Sequence, residues 1–308
     1  MTDLLVIANG RNQKGFRARR WQRAISRLRE IFGTGLEIRY TSHRGDGARL
    51  TREALVAGVD WLAAAGGDGT IHEVLNGFFD NGINVRPSSS LSFLPCGLGN
   101  DWIRTLGLPM DLFGSIELLG RARPHLVDVG HARFQGLSGR TEDEVFINIA
   151  EAGIGAKVVE YMEHGVMPVR NHLAYVMGAF IAILSYLPRP LELELDGDKT
   201  IATDPLLSLI VANGCYFGAG MKCAPMARPD DGRLEVIAVG EFSRAEAALK
   251  IRSSMNGTYL DLPRVEHYSS KAVGLASGDR VPLELDGELV GHLPAHIRLL
   301  PQAVRLRY

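Results

Sequence analysis

The stretch Ala65-Gly66-Gly67-Asp68-Gly69-Thr70-Ile71-His72-Glu73 constrains this chain more than any other. An apolar run, Val59 to Ala65, leads into it, and Ile71, Val74, Leu75 and Phe78 recur beyond it at helical spacing. A strand that becomes a helix through three glycines brings bare backbone amides to a helix N-terminus, where the dipole favours an anion. Thr70 and Glu73 form a T-x-x-E pattern, which predicts a capping box there. Asp68 cannot hold a phosphate without a cation, so its expected roles are to bind Mg²⁺, orient a ribose or accept a proton. The alternative is a tight βα turn in which Asp68 only caps.

The same strand–loop–helix grammar repeats through the first half. Leu4–Ala8 precedes the polar loop Asn9–Gly15, after which Trp21, Ile25, Leu28 and Phe32 mark a helix. Leu36–Thr41 and Leu91–Leu94 read as further strands, with helices over Leu50–Ala57 and from Asn100. Strands separated by amphipathic helices imply βαβ units and a mostly parallel sheet. The loops after Ala8, Ala65 and Leu94 then emerge at its carboxyl edge, where open α/β sheets bind ligands. Neither G-x-x-x-x-G-K-[ST] nor, at this turn, G-x-G-x-x-G is present, so the expected ligand is phosphorylated but not held by a Walker or dinucleotide fingerprint.

At 308 residues the chain exceeds what one core usually serves, and two domains are expected. The texture changes after Asp128 to short alternating runs, among them Val145–Ile149, Leu191–Leu195, Leu206–Ala212, Leu234–Val239, Ala272–Leu275, Leu283–Leu285 and Ile297–Leu300. Asp-Gly hairpin signals at 196–197, 231–232 and 286–287 sit between them. Helical patterns are read over Lys157–Glu163, His172–Leu187 and Arg244–Met255, and Leu-Glu-Leu-Asp-Gly occurs twice, at 193–197 and 283–287. A net charge of −1 argues against nucleic-acid binding, and Cys96, Cys215 and Cys223 form no C-x-x-C pair and read as reduced thiols of a cytoplasmic protein. Leu173–Leu187 is too short for a transmembrane span.

Gly66-Gly67-Asp68-Gly69-Thr70, with Glu73, Asn76 and Gly77, resembles the nucleotide-binding signature of the diacylglycerol kinase catalytic family, which includes bacterial lipid kinases and the sphingosine and ceramide kinases. Further blocks resemble that family in order: Pro95-Cys96-Gly97-Leu98-Gly99-Asn100-Asp101 with Arg104, Asp128-Val129-Gly130, Asn148 to Ala156, Ala224 to Leu234, and Asp286-Gly287-Glu288. Two positions depart from its pattern: Asn9-Gly10-Arg11-Asn12-Gln13 replaces N-P-x-S-G, and Leu98 replaces a threonine.

The resemblance implies an ATP-dependent, Mg²⁺-dependent lipid kinase. Its fold would be a Rossmann-like α/β domain, residues 1–128 completed by about 297–308, with a β-rich sandwich domain, 129–296, and ATP in the cleft between them. Gly66, Gly67, Asp68, Gly69, Thr70, Glu73, Gly97 and Asn100, with Asn9 and Thr41, would contact ATP. The base would be Glu288, with Asp286 or Asp68 as alternatives. Asp128 would join Asp68 in an Mg²⁺ and water network, and a structural Mg²⁺ would sit on Asp231 with carbonyls near Arg228 and Arg233. The plain rivals are ordinary hairpin turns at 231–232 and 286–287 and a surface position for His72. An NAD kinase-like enzyme and a non-catalytic nucleotide or lipid sensor are the other functional readings. Arg17, Arg19, Arg20, Arg23, Arg27 and Arg29, with Glu30 the one nearby acid, form a solvated face or a patch for anionic lipid, so that membrane contact is peripheral. A homodimer is left open.

Overall fold

The computed structural model describes residues 3–97, 99–163, 178, 181–182, 185–243, 246 and 253–308. Most of the expected helices over Arg244–Met255 and His172–Leu187, and Leu98, lie outside the described residues. The chain divides into two compact units, Met1–Asp128 with Pro301–Tyr308, and Val129–Leu300.

In the first unit, strands β1 (Leu4–Asn9), β2 (Leu36–Thr41), β3 (Trp61–Gly66) and β4 (Ser90–Pro95) pair in parallel in the order β2-β1-β3-β4. Arg305 and Leu306 add a further parallel pairing beside Ser90 and Leu91. Asn9 is level with Thr41, Ala8 with Ala65, and Gly66 with Pro95, so the strands reach their carboxyl ends together. Leu4, Val6 and Ala8 pack with Ala63, Ala65 and Leu94 under Trp21, Ala24, Ile25 and Leu28 of helix α1 (Gly15–Phe32). Helices α2 (Asp46–Val56) and α3 (Asp68–Phe78) pack against each other. Helix α4 (Asp101–Thr105) follows β4. Helix α5 (Leu112–Leu119) was not read from the sequence; Asp111 caps it by accepting Gly114 N–H at 2.8 Å, and it shares the α1 core.

The second unit is a β-sandwich-like body built from antiparallel pairs. It includes β5 (Pro124–Gly136, from Val129 onward), β6 (Thr141–Phe146), β7 (Ile149–Gly153), helix α6 (Ile154–Glu163), and β8 (Glu192–Leu195) with β9 (Lys199–Ala202). Strands β10 (Leu206–Ala212), β11 (Leu234–Gly240), β12 (Val265–Ser270), β13 (Ala272–Ala276), β14 (Pro282–Leu285) and β15 (Glu288–Arg307) follow. One path runs β12-β11-β10-β7-β14-β15. Leu209 and Val211 enter the main core, whereas Ile210 and Ala212 pack with Cys223, Ala224 and Tyr259. Burial on both faces explains why β10 is apolar without alternation.

The expected single strand Val145–Ile149 is two strands, β6 and β7, with Ile147 and Asn148 between them. The interruption is chemical: the amides of Ile147, Asn148 and Ile149 are bound by a carboxylate, as described below. No described helix is long and apolar enough to cross a membrane.

Candidate functional site

The in-register carboxyl edge of the first unit assembles the two glycine turns. A Cβ placed on Gly97 would stand 2.4 Å from Gly67 Cα, so the turns after β3 and β4 touch through bare backbone. A Cβ on Gly66 would collide with Thr70 Oγ1 at 2.2 Å, because Thr70 folds back over it. Asn9 Nδ2 donates to that same hydroxyl at 3.3 Å, and Gly10 N–H donates to Thr41 Oγ1 at 3.4 Å. Asn9, Thr41, Gly66, Gly67, Thr70, Gly97 and Asn100 thus belong to one constellation. The first intrahelical bond of α3 comes from Thr70 N–H, which leaves the Asp68 and Gly69 amides at the helix N-terminus.

Asp68 sits at the start of α3, and its carboxylate spans the turns. Oδ2 accepts Asn100 N–H at 2.7 Å and Oδ1 accepts Asp101 N–H at 2.9 Å. This is the capping alternative, applied to the neighbouring helix α4: both oxygens bind backbone, and Asp68 braces the second turn against the first. Asn100 is in the left-handed region, φ 53°, and is 4% exposed. Its Nδ2 donates to Gly97 O at 3.3 Å, while its buried Oδ1 has no partner among the described residues. An orphaned acceptor beside close-packed glycines suits a hydrogen-bonding ligand.

The expected capping box does not form. Gly67 is the N-cap of α3, without a side-chain bond. Glu73 instead reaches the loop after β2, where Oε1 accepts Gly45 N–H at 2.9 Å and Oε2 accepts Gly47 N–H at 2.8 Å. The i+3 pattern was right in spacing and wrong in partner, because α2 lies alongside. Asp46, missed in sequence, completes this loop; the Ser42 backbone N–H, at 2.8 Å, holds its carboxyl down at about 2, helped by the Ser42 hydroxyl and Arg49. Glu73→Ala is expected to cost about 1–2 kcal/mol through the two orphaned loop amides, measured by urea unfolding; unchanged stability would refute the brace. His72 is not on the surface: it is 5% exposed, with Asn76 Nδ2 bonded to its carbonyl at 3.0 Å.

The metal expectations fare differently. Asp128 is 1% exposed and its Oδ1 accepts Gln302 N–H at 2.7 Å, which ties the β5 strand to the C-terminal segment within the first unit. Among the described residues, no group of three or more His, Cys, Asp or Glu side chains comes together to hold a metal. Asp231 lies exposed in a turn with Gly232 at φ 75°, and Oδ1 accepts Arg233 N–H at 3.0 Å. One carboxylate is compatible with Mg²⁺, which takes one or two carboxylates and keeps several waters.

The C-terminal motif resolves into two jobs. Asp286 is in the left-handed region, φ 51°, followed by Gly287 at 85°, as a two-residue hairpin between β14 and β15 requires. Its Oδ1 accepts Asn148 and Ile149 N–H at 2.9 and 3.0 Å, and Oδ2 accepts Ile147 N–H at 3.0 Å. The earlier copy repeats the device: Asp196, φ 54°, accepts Lys271 and Ala272 N–H at 2.8 and 3.0 Å. Leu195 pairs with Val273 as Leu285 pairs with Ala150. The Leu-Glu-Leu-Asp-Gly echo is thus a hairpin anchor used twice, and Asp286 is structural. Glu288, the first residue of β15, is half-buried.

Comparison with known proteins agrees with the geometry. Residues 3–132 match the diacylglycerol kinase catalytic domain, and residues 148–308 match the YegS C-terminal NAD kinase beta sandwich-like domain. A Chromohalobacter salexigens protein named "Probable lipid kinase YegS-like" is 32% identical over 99% of this chain and 92% of its own length. A Staphylococcus haemolyticus protein named "Diacylglycerol kinase" is 27% identical over 86% of this chain and 76% of its own. A crystal structure of a diacylglycerol kinase from Bacillus anthracis shares the fold, with TM-score 0.73, 22% identity, and coverage of 99% of this chain and 96% of that one. Yeast NADH kinase is a remoter likeness in fold, with TM-score 0.52 and 9% identity.

Proposed function

The chain belongs to the diacylglycerol kinase catalytic family and is a kinase, and from that membership we propose that it transfers the γ-phosphate of ATP to the hydroxyl of a diacylglycerol-like or sphingoid lipid. The observation that carries the reading is the contact of two glycine turns at one sheet edge, with helix amides and an orphaned asparagine oxygen beside it. Gly66, Gly67, Gly69, Thr70, Gly97 and Asn100, with Asn9 and Thr41, surround the phosphates and ribose of ATP. Asp68 and Glu73 act one step back, holding the second turn and the loop after β2. Mg²⁺ supplies neutralisation of phosphate charge, and a structural ion would rest on Asp231 with the carbonyls of Arg228 and Arg233. Asp286 orders the hairpin, and Glu288 takes the proton of the acceptor hydroxyl. Phosphoryl transfer asks little more of the protein than alignment and charge.

The assay is direct. The protein is incubated with labelled ATP, Mg²⁺ and a panel of diacylglycerol, sphingosine, ceramide, phosphatidylglycerol and NAD. Label in a lipid is the expected result; label in NAD alone, or in nothing, overturns the proposal.

The same reading has the enzyme act at the cytoplasmic surface of a membrane, reached peripherally. Arg19, Arg20, Arg23 and Arg29 are exposed on α1, whereas Arg27 is spent on Glu117 at 2.5 Å and Glu30 at 2.6 Å. Glu117, from α5, is an acid that proximity in sequence did not reveal. At roughly 1 kcal/mol per basic residue, reversing the four exposed arginines to glutamate should cut partitioning to anionic vesicles at least tenfold in low salt. Sedimentation with vesicles measures it, and undiminished binding would refute the patch.

A further inference from the structure

At the amino edge of the first unit's sheet, opposite the glycine turns, the last segment of the chain lays two arginines side by side. Arg305 and Arg307 are two residues apart in β15, so strand alternation puts them on one face, while Val304 and Leu306 are buried. Arg305 is level with Ser90, the first residue of β4. A cavity of about 270 Å³ lies beside them, lined also by Asp3, Asp60, Trp61 and Ser88. Asp3 and Asp60 immediately precede β1 and β3, and Ser88 lies just before β4. The glycine turns sit at the far ends of β3 and β4, about 16 Å away at ~3.3 Å per residue.

The Nε atoms of Arg305 and Arg307 are both buried and have no hydrogen-bond partner among the described residues. Neither guanidinium enters an ion pair among those residues. The two acids of the cavity are turned elsewhere. Asp60 Oδ1 accepts Arg86 Nε at 3.0 Å and Nη2 at 2.7 Å. Asp3 is exposed and lies over Gly35, where a Cβ would stand 2.1 Å from its Oδ2. Arg307 is held in place by its neighbours. Its guanidinium carbon is 4.4 Å from the centroid of the Trp61 ring, a cation–π contact. Trp61 Nε1 donates to Ser92 Oγ at 2.8 Å, and that hydroxyl donates to the Arg307 carbonyl at 2.6 Å. Phe32 meets the Trp61 ring edge-on, with centroids 5.4 Å apart.

We propose that this amino-edge cavity binds a hydrogen phosphate group, at a site separate from that for ATP and independent of the kinase reading. A buried donor on a charged group is costly to leave unpaired, so two such Nε–H groups beside one cavity call for a bound oxygen acceptor. Guanidinium forks match the oxygens of a phosphate, and Trp61 holds one fork ready. The carboxylates select among oxyanions. Hydrogen phosphate keeps an O–H at neutral pH that a carboxylate accepts, whereas sulfate has no proton to give and meets only repulsion there. Size sets the other limit: pockets for drug-sized ligands begin at about 300 Å³, so the cavity takes a phosphate ion or a phosphate head group rather than a nucleotide. The ligand would tie the last segment to β3 and β4, and binding should stabilise the protein by mass action.

The test follows Trp61, which is half-buried beside the cavity, whereas Trp21 and Trp102 are each 1% exposed. The full-length protein is titrated at neutral pH and constant ionic strength with inorganic phosphate, sulfate and short-chain phosphatidate, reading tryptophan emission and the thermal midpoint. A saturating emission change and a rising midpoint are expected with phosphate, and sulfate should bind about tenfold more weakly or worse. Arg305→Gln should weaken phosphate binding about ten- to hundredfold, the worth of a charge-assisted hydrogen bond, and leave the affinity for a non-hydrolysable ATP analogue unchanged. Arg305→Lys keeps the charge without the fork and should recover only part of the loss. An unsaturating response, equal binding of sulfate, undiminished binding in Arg305→Gln, or ATP affinity that falls in step with phosphate affinity overturns the proposal. Tighter binding of phosphatidate than of phosphate makes a lipid head group the source, and the reverse makes it the free ion; either result keeps the site. Should Arg305→Gln fold poorly, Arg307→Lys removes the second fork, and undiminished phosphate binding there overturns the site equally.

Discussion

Replacing Glu288 by glutamine is expected to lower kcat by about 10²–10⁴-fold, the range a general base contributes, while thermal unfolding stays close to the parent's. The neighbouring Asp286→Ala is expected to do the reverse in order of cause. Its carboxylate satisfies three backbone amides, at 147, 148 and 149, and removing it orphans all three at once. At 1–3 kcal/mol for each unsatisfied buried group, partly relieved by water at the rim, the loss is roughly 3–5 kcal/mol. Asp196→Ala removes the same anchor at the exposed hairpin, where water replaces it, and should cost about 1 kcal/mol or less. Urea unfolding of the three variants, beside kcat, separates chemistry from scaffold. Equal stability losses for Asp286 and Asp196, or an active Glu288→Gln, would sink this division of labour.

The second large effect is expected at the glycine contact. Gly97→Ala places a methyl 2.4 Å from Gly67 Cα and 3.1 Å from Asn100 Oδ1, against backbone that has no rotamer to yield. The turns must part; if they form the phosphate site as proposed, ATP affinity should fall about a hundredfold or more, or about 3 kcal/mol. Asp68→Asn tests the brace from the other side. One oxygen becomes an NH₂ group facing a backbone N–H, so one of the two bonds to Asn100 and Asp101 becomes a repulsion. A ten- to hundredfold loss of ATP affinity is expected, corresponding to roughly 1.4–2.8 kcal/mol. Isothermal titration with a non-hydrolysable ATP analogue reads both. ATP affinity within twofold of the parent in Gly97→Ala would mean that the two turns do not form the phosphate site.

Local chemistry made much of this legible. The βα alternation, the strand Leu36–Thr41 and the glycine turn at 66–69 are set by side-chain period and by where glycine is tolerated, and these act over a few residues. The same locality explains the failures. The Thr70–Glu73 spacing fits a capping box, but Glu73 gains two amides of the α2 loop, which only packing brings near. Asp111 is a plain N-cap signal, but the helix it starts, 8 residues long, is too short for its period to show in sequence.

Sequence by itself determined the βα alternation of the first half, the family and the glycine turns that follow β3 and β4, because those depend on backbone freedom and on local pattern. Tertiary structure alone decided what each carboxylate does. Asp68, Asp286 and Glu73 brace their surroundings because backbone amides distant in sequence meet their oxygens. Glu194 and Glu284 occupy equivalent places in the same pentapeptide, yet one is exposed and the other is buried opposite a second glutamate. Identical residues acquire different chemistry from what the fold lays over them, and that covering is a long-range fact.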